Sequence, residues 1–424
     1  MPALRYRDLR FFCISLVAAH FGSQLQTTAN LWQVFVLTGS PLHLGGIGLA
    51  RAIPTLTLTL AGGVVADRID RVRFIQITQA AGGLVAVALA ALTAWGHVEV
   101  WHIYLATFCT STITSFGSPA RTSVTPTLVP REHLMNALSI NQTIMQTSRI
   151  FGPALAGVSI AAIGLVPTYL ANGLGQLCSL TTLAVLRVRP GGMSEVRRPE
   201  PPWRSFLEGL AFVRLNSVIL ILLAMDLAMS SLGSYRALLP IFADRSGFGV
   251  QGLGLLQSAP AIGSLIGAAV LMSFGNIRYK GLLAAGMILC YCGALLLLAS
   301  APWFGLSMFA AALLGFFDAT QTISRTTVIQ SLTPDALRGR VAAFQHMLTG
   351  GGPAVGEAMS GAIASAIGPP LALTLGAFSC VAVIFGIASM RPDLRDPALG
   401  DRTIEPEPGT STSGAAAAQL AEGV

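Results

Sequence analysis

Long apolar stretches dominate this chain, and they constrain its fold more than any other feature. Of its 424 residues, 53% are hydrophobic and 11% are charged, whereas soluble domains carry about 25% charged residues. A helix of about 20 apolar residues crosses a bilayer core, where lipid offers no partner for backbone hydrogen bonds. Because hydrophobicity runs continuously rather than alternating every second residue, the stretches predict helices and not a barrel.

The apolar stretches predict twelve transmembrane helices in two sets of six. We place them at residues 9–37, 42–66, 72–94, 100–127, 136–162, 166–187, 216–241, 249–274, 280–299, 303–330, 339–366 and 370–390. A long polar segment divides the sets. The predicted organisation is an N-terminal six-helix bundle (1–188), a cytoplasmic linker with a short amphipathic helix (189–215), a C-terminal bundle (216–391) and a disordered cytoplasmic tail (392–424).

The distribution of Arg and Lys predicts the orientation of these helices. Basic residues gather in alternate connections and at both termini, while the other connections hold almost none. Short loops rich in Arg and Lys remain on the cytoplasmic side. We therefore expect a multi-pass protein of the inner or plasma membrane with both termini in the cytoplasm. The formal net charge of +7 is then a topology signal and does not indicate nucleic-acid binding.

The two predicted bundles repeat each other in sequence. Gly46-Ile47-Gly48-Leu49, followed by Pro54, recurs as Gly252-Leu253-Gly254-Leu255, followed by Pro260. At a nearly constant offset the second bundle also repeats several single residues of the first; Arg121, Pro130, Gly152 and Gly157 recur as Arg325, Pro334, Gly356 and Gly361. Two parallel six-helix repeats are typical of one large class of secondary transporters.

A charged cluster lies between the second and third predicted helices. It consists of Gly63, Asp67, Arg68, Asp70, Arg71 and Arg73. This pattern resembles the signature of the major facilitator superfamily, with Asp70 in place of the last glycine. Together with Leu37-Thr38-Gly39-Ser40 and Leu337-Arg338-Gly339-Arg340, it resembles the branch that holds enterobactin and macrolide exporters. The resemblance implies an all-α integral membrane protein whose twelve helices form two six-helix repeats.

The resemblance also implies roles for two motifs. In the family, the carboxylate at the position of Asp67 caps the eleventh helix across the two halves, as a latch of a cytoplasmic gate. The alternative is that the cluster only marks topology. The segment containing Gly152, Pro153 and Gly157 resembles the fifth-helix motif of the family's antiporters, which favours export. Pro153 lacks a backbone donor, so this segment is expected to be a flexible part of its helix.

Polar residues at helical spacing within the spans predict a water-lined path between the halves. The candidates for coupling or substrate binding are Gln26, Asn30, Gln33, Arg121, Arg149, Asp226, Asp318, Arg325 and Glu357. In the family the first, fourth, seventh and tenth helices line the central path, and most of these residues fall on those helices. The alternative for each amide or hydroxyl is a hydrogen bond that only joins two helices.

Carboxylates deep in a bilayer are costly and mark function by default. Asp226 and Asp318 lie near the middle of their predicted spans, where either could carry a proton or pair with a cationic cargo. The alternative is a structural ion pair, either Asp318 with Arg325 or Asp226 with Arg149. Glu357, Arg51 and Arg149 could equally lock helices together.

No catalytic constellation is present in the sequence. We find no phosphate-binding glycine-rich loop and no nucleophile elbow, and the six cysteines and six histidines show no metal-ligand spacing. We therefore expect no enzyme activity and no cofactor. The predicted function is efflux of a small amphipathic molecule (a siderophore, a macrolide or another drug) by a monomer driven by protons. The alternatives are an importer with the same fold and a membrane sensor or assembly partner that does not transport.

Overall fold

The chain folds into a bundle of membrane-length helices. A computed structural model describes residues 2–68, 70–186, 202–275, 280–335 and 337–390, and within residues 59–68 it describes the backbone alone. The α-helices of the described residues are α1 (Arg7–Thr38), α2 (Pro41–Arg68), α3 (Arg71–Ala94), α4 (Val100–Leu128), α5 (Leu134–Ile163), α6 (Leu165–Ala184), α7 (Pro202–Leu215), α8 (Ser217–Leu232), α9 (Leu239–Arg245), α10 (Gly249–Ser273), α11 (Lys280–Ser300), α12 (Phe304–Leu332), α13 (Arg338–Ile367) and α14 (Pro369–Met390).

Short turns between consecutive helices make them antiparallel neighbours. The chain leaves α1 through Gly39, whose φ of 59° lies in the left-handed region and whose N–H donates to the Phe35 carbonyl at 2.8 Å. Glycine takes this conformation without steric cost. Pro41 then opens α2, where its missing N–H would have had no helical partner.

The bundle has two chemically different ends. The end where α1 begins carries the charged cluster after α2 and Arg131 before α5, together with Arg338 and Arg340 at the start of α13; we call it the basic end. The opposite end holds the connection Gly39–Ser40 and the tight turns before α6 and α14. By topology, α1 to α6 form the N-half and α8 to α14 form the C-half.

The span predicted at 216–241 is confirmed as a segment that could cross a membrane, but it is not one continuous helix. Helix α8 stops at Leu232, and a 3-10 turn over Arg236–Leu238 precedes α9. The Gly233 carbonyl accepts a hydrogen bond from the Tyr291 hydroxyl at 2.9 Å, so α11 provides a partner for the interrupted backbone. Pro240 stands in the first turn of α9, where proline favours the start of a helix.

The helices are those of an integral membrane protein. By length and apolar composition alone, six segments of the described chain could cross a bilayer: α3, the α8–α9 segment, α10, α11, α12 and α14. The other long helices carry more polar side chains, many of which face the interior. Large apolar side chains such as Leu84, Leu174 and Phe385 are exposed, as expected of surfaces that contact lipid tails.

Helix α7 lies within the predicted linker, on the basic end. Glu208 of α7 forms an ion pair with Arg340 in the first turn of α13, and Gly209 packs against the backbone of Arg340. The remaining predicted linker up to residue 201 and the predicted tail beyond residue 390 lie outside the described residues.

Candidate functional site

The two halves meet at two helix crossings that the sequence repeat makes equivalent. Helix α2 crosses α13 where Gly45 packs against Gly361, and α10 crosses α5 where Gly254 packs against Gly157. A Cβ at any of these glycines would run into the backbone of the facing helix. Small residues permit this close approach of helices. Gly157 and Gly361, which match in the repeat, therefore take matching places in the two crossings.

Polar contacts reinforce the junction on the same side of the bundle. Arg51 of α2 forms an ion pair with Glu357 of α13, whose side chain is 5% exposed. The Thr28 hydroxyl of α1 donates to Gln257 Oε1 of α10 at 2.6 Å. All four residues lie between the middle of their helices and the opposite end. The halves are thus closed together toward the opposite end.

The glycine–proline motif lies at the α5–α10 crossing. Helix α5 continues through Pro153, although proline leaves the carbonyl of residue 149 without its helical donor. The Ala154 N–H donates to the Ser258 hydroxyl of α10 at 3.1 Å, and Gly152 packs against the side chain of Gln24 of α1. The motif therefore contacts both α1 of its own half and α10 of the other half.

Asp226 and Arg325 form a buried ion pair inside the C-half. Asp226 of α8 pairs with Arg325 of α12, and their side chains are 6% and 1% exposed. Neither structural pairing considered from sequence is formed, because Arg325 faces α8 rather than the next turns of its own helix. The Nε and Nη2 atoms of Arg325 have no hydrogen-bond partner among the described residues.

Asp318 occupies a different environment, at the interface between the halves. It lies midway along α12 and is half-buried, with no cation of the described chain within ion-pair distance. The charges that act on its carboxyl are Arg236 of the C-half and Arg149 of the N-half. The side chains of both arginines are exposed. Asp318 therefore interacts electrostatically with an arginine of each half and forms an ion pair with neither of them.

Arg236 was missed by the sequence reading. It follows the break after α8, in the 3-10 turn Arg236–Leu238, and electrostatic interactions link it with Tyr235, Asp318, Glu357 and Tyr291. A signal was available, because an arginine inside a predicted apolar span is itself a mark of function.

The three polar candidates of α1 take part in a buried hydrogen-bond network of the N-half. Gln26 Oε1 accepts from Asn172 Nδ2 of α6. The Asn30 amide donates to the Thr107 hydroxyl of α4 at 3.2 Å, and that of Gln33 donates to the Thr93 hydroxyl at 3.0 Å. The network joins α1 to α3, α4 and α6. Contact with cargo stays a prediction for all three residues.

A cavity of about 190 Å³ opens beside this network. Its walls come from α1, α2, α3, α4 and α6, all in the N-half, and include Gln26, Asn30 and Arg121. Arg121 is partly buried and makes no ion pair with any described residue, although its charge acts on His20 across the cavity. No group of described His, Cys, Asp or Glu residues is arranged to hold a metal ion.

The gate motif is described only in part. Asp70 caps α3, since its carboxylate accepts from the Arg73 N–H at 2.9 Å, and Arg71 Nη1 donates to the Ser123 carbonyl of α4 at 3.3 Å. The side chains of Asp67 and Arg68 lie outside the described residues, and Gly63 is described only as part of the α2 backbone. The latch to the eleventh membrane helix (α13) therefore stays a prediction.

Known proteins share both the sequence pattern and the fold. The model of the family described as Transmembrane secretion effector matches residues 2–406. Enterobactin exporter EntS of Escherichia coli O1:K1 / APEC is 27% identical over 386 residues, which cover 89% of this chain and 88% of the exporter. The same exporter of Escherichia coli O81 (strain ED1a) is 26% identical over the same length.

Solved structures match the fold at low sequence identity. The nucleoside transporter NupG superimposes with a TM-score of 0.70 and 16% identity, covering 90% of this chain and 98% of NupG. A bacterial homologue of the iron transporter ferroportin in the inward-facing state gives 0.68 and 16%, covering 90% and 98%.

The family match covers almost the whole chain, and the helices have the predicted two-repeat arrangement. The protein is accordingly a secondary transporter embedded in a membrane, and not an enzyme. It belongs to the transmembrane secretion effector family of the major facilitator superfamily, in the branch related to the enterobactin exporter.

Proposed function

We propose that the protein exports a small amphipathic molecule from the cytoplasm in exchange for protons, by alternating access of its two halves. The candidate cargoes are siderophores, macrolides and other drugs. The name of the curated relatives, an enterobactin exporter, supports the outward direction and a siderophore-like cargo. The antiporter-like motif at Gly152 and Pro153 supports the same direction.

The observation that carries the proposal is the closure of the halves toward the opposite end of the bundle, as the described residues show it. The glycine crossings and the Arg51–Glu357 ion pair hold the halves together between the middle of the bundle and the opposite end. If the basic end faces the cytoplasm, as the positive-inside rule requires, this arrangement is the state that receives cargo from inside. Both termini are then cytoplasmic. Rocking about the middle would break these contacts and release cargo on the far side.

Asp318 is the residue that we assign to proton coupling. Its carboxylate attracts Arg149 of the N-half and Arg236 of the C-half, so ionised Asp318 favours an arrangement in which the halves approach each other. Uptake of a proton removes this attraction and lets the halves separate. Asp226 is already neutralised by Arg325 in a buried pair, which makes it the less suitable proton carrier.

Transport in inverted membrane vesicles tests the proposal. Radiolabelled enterobactin and erythromycin serve as probes, with and without an acidic vesicle interior. We expect uptake of at least one probe to rise when the interior is acidified. Asp318→Asn should abolish this rise but retain counterflow without a gradient, because a neutral side chain cannot carry the proton. The matched control is Asp244→Asn, an exposed carboxylate near the opposite end, which should behave as the parent protein.

Two results would overturn the proposal. If vesicles with the protein move neither probe faster than vesicles without it, export of this cargo class is wrong. If uptake by the parent protein ignores the gradient, or if Asp318→Asn keeps the full response, proton coupling through Asp318 is wrong.

A further inference from the structure

The charge of the N-half cavity is strongly one-sided. Its described lining includes two arginines, Arg51 and Arg121, and no carboxylate. Glu357 neutralises Arg51 from the other half. Arg121 has no such partner among the described residues, and its location well inside the bundle makes an uncompensated guanidinium costly. An anionic group on a bound molecule would remove this cost.

The same cavity also presents unused hydrogen-bonding atoms. A chain of amides runs along its wall, in which Gln176 donates to Asn172 at 3.3 Å and Asn172 donates to Gln26. Both ends of the chain are unsatisfied, because Gln26 Nε2 and Gln176 Oε1 are buried without a partner among the described residues. Buried polar atoms without partners are rare, and each calls for an explanation such as a missing ligand or water. One donor and one acceptor of residues in the cavity wall therefore lack partners among the described residues.

The size of the cavity limits the group that can enter. A volume of about 190 Å³ corresponds to about six waters at 30 Å³ each. This space suits one substituted ring or a group of similar size. A larger cargo would insert one arm here, while the rest of it occupied the space between the halves.

We propose that this cavity is a binding subsite for an oxyanion on a small ring-bearing or hydroxyl-bearing group of the cargo. Arg121 receives the anionic oxygens, with His20 beside it. Gln26 and Gln176 lie in the same wall, and a rotation of their amides would bring the unpaired donor of Gln26 and the unpaired acceptor of Gln176 to polar substituents of the same group. Arg121 is well suited to this role, since its planar guanidinium can bind a carboxylate through two hydrogen bonds. The inference deepens the proposed transport function by naming the chemical class of cargo as acidic rather than cationic.

Equilibrium binding to the purified full chain in a non-ionic detergent tests the subsite. The probes are radiolabelled salicylate, which is an anion at neutral pH, and salicylamide, its neutral counterpart. We expect salicylate to bind at least about tenfold more tightly than salicylamide, which corresponds to about 1.4 kcal/mol. Arg121→Gln should remove this preference, and Arg121→Lys should restore part of it because it keeps the charge. Arg131→Gln, at an exposed position on the basic end, is the control and should change nothing.

Each other outcome contradicts the inference. Equal binding of both probes, no binding of salicylate, or full salicylate binding by a folded Arg121→Gln variant would overturn it. Displacement of salicylate by phosphatidylglycerol in mixed micelles would identify a lipid-headgroup site and overturn the assignment to cargo. The assay requires no transport, so its failure is distinguishable from a failure of the vesicle experiment.

Discussion

The two halves share one helical plan but hold different chemistry at their centres. In the N-half, the interior of the membrane helices contains amides, hydroxyls and arginines, and Asp occurs only near helix ends, at Asp8, Asp67 and Asp70. In the C-half, three carboxylates lie well inside the helices, namely Asp226, Asp318 and Glu357. The sequence repeat therefore reproduced the scaffold and its glycine crossings without reproducing the buried carboxylates.

This difference suggests a division of labour between binding and coupling. A cavity with neutral polar walls and a free guanidinium can select a cargo, while a carboxylate can gain and lose a proton. Because the binding cavity lies in one half and the proton-carrying carboxylate in the other, movement of the halves relative to each other can couple cargo binding to proton uptake. The buried pair would then stabilise the half that couples to protons, and the hydrogen-bond network would stabilise the half that binds cargo.

The largest loss of stability is expected from breaking the buried Asp226–Arg325 ion pair of the C-half. Asp226→Leu leaves Arg325 as an uncompensated buried charge, which costs about 3–5 kcal/mol in comparable cases. We expect a large loss of folded protein and a lower melting temperature in detergent.

The matched variant replaces both partners. Asp226→Leu combined with Arg325→Leu removes the unpaired charge, so it should recover most of the lost stability. If the double variant is as unstable as the single one, the pair has a role beyond neutralising charge. An unchanged melting temperature for Asp226→Leu would contradict the buried pairing itself.

A smaller loss of stability is expected when one hydroxyl is removed from the buried hydrogen-bond network of the N-half. The Tyr169 hydroxyl is fully buried, donates to Gln33 Oε1 at 2.7 Å and lies 3.0 Å from Asn30 Oδ1. Tyr169→Phe leaves neutral acceptors unsatisfied, at a cost of about 1–3 kcal/mol. We expect a modest decrease in melting temperature, smaller than that of Asp226→Leu.

Tyr104→Phe is the matched control for this prediction. Its hydroxyl donates to the His43 carbonyl at 2.8 Å in a partly exposed position, where water can replace the lost donor. If Tyr104→Phe lowers the melting temperature as much as Tyr169→Phe does, burial does not determine how much a hydrogen bond of the network contributes to stability. If Tyr169→Phe lowers the melting temperature as much as Asp226→Leu does, the two halves do not differ in how strongly their buried polar contacts stabilise the fold.

The architecture could be predicted from sequence because lipid permits so few alternatives. Apolar length fixed most of the membrane helices to within a few residues, and the repeated glycine motifs indicated two equivalent sets of six. The break after Leu232 was missed, since Gly233 and Ser234 are ordinary in membrane helices and the Tyr291 hydroxyl that supports the break comes from a distant helix.

The candidate site was predictable in residue type but not in pairing. Spacing along one helix identifies residues on a common face, so it brought Asp318 and Arg325 together. It does not report how a helix is rotated against its neighbours, and that rotation directs Arg325 to Asp226. For the same reason, sequence did not separate Gln26, whose Nε2 has no partner among the described residues, from Gln33, whose amide is hydrogen-bonded to Thr93.

The most direct test of the division between the halves is salicylate binding by Asp318→Asn, measured with the same preparation that is used for vesicle transport. Asp318 is outside the lining of the N-half cavity, so we predict an affinity within about twofold of the parent protein, the additivity expected of separate sites. The same variant should have lost its response to the pH gradient. A decrease of about tenfold or more in salicylate affinity would put the coupling carboxylate in the binding site and contradict the account.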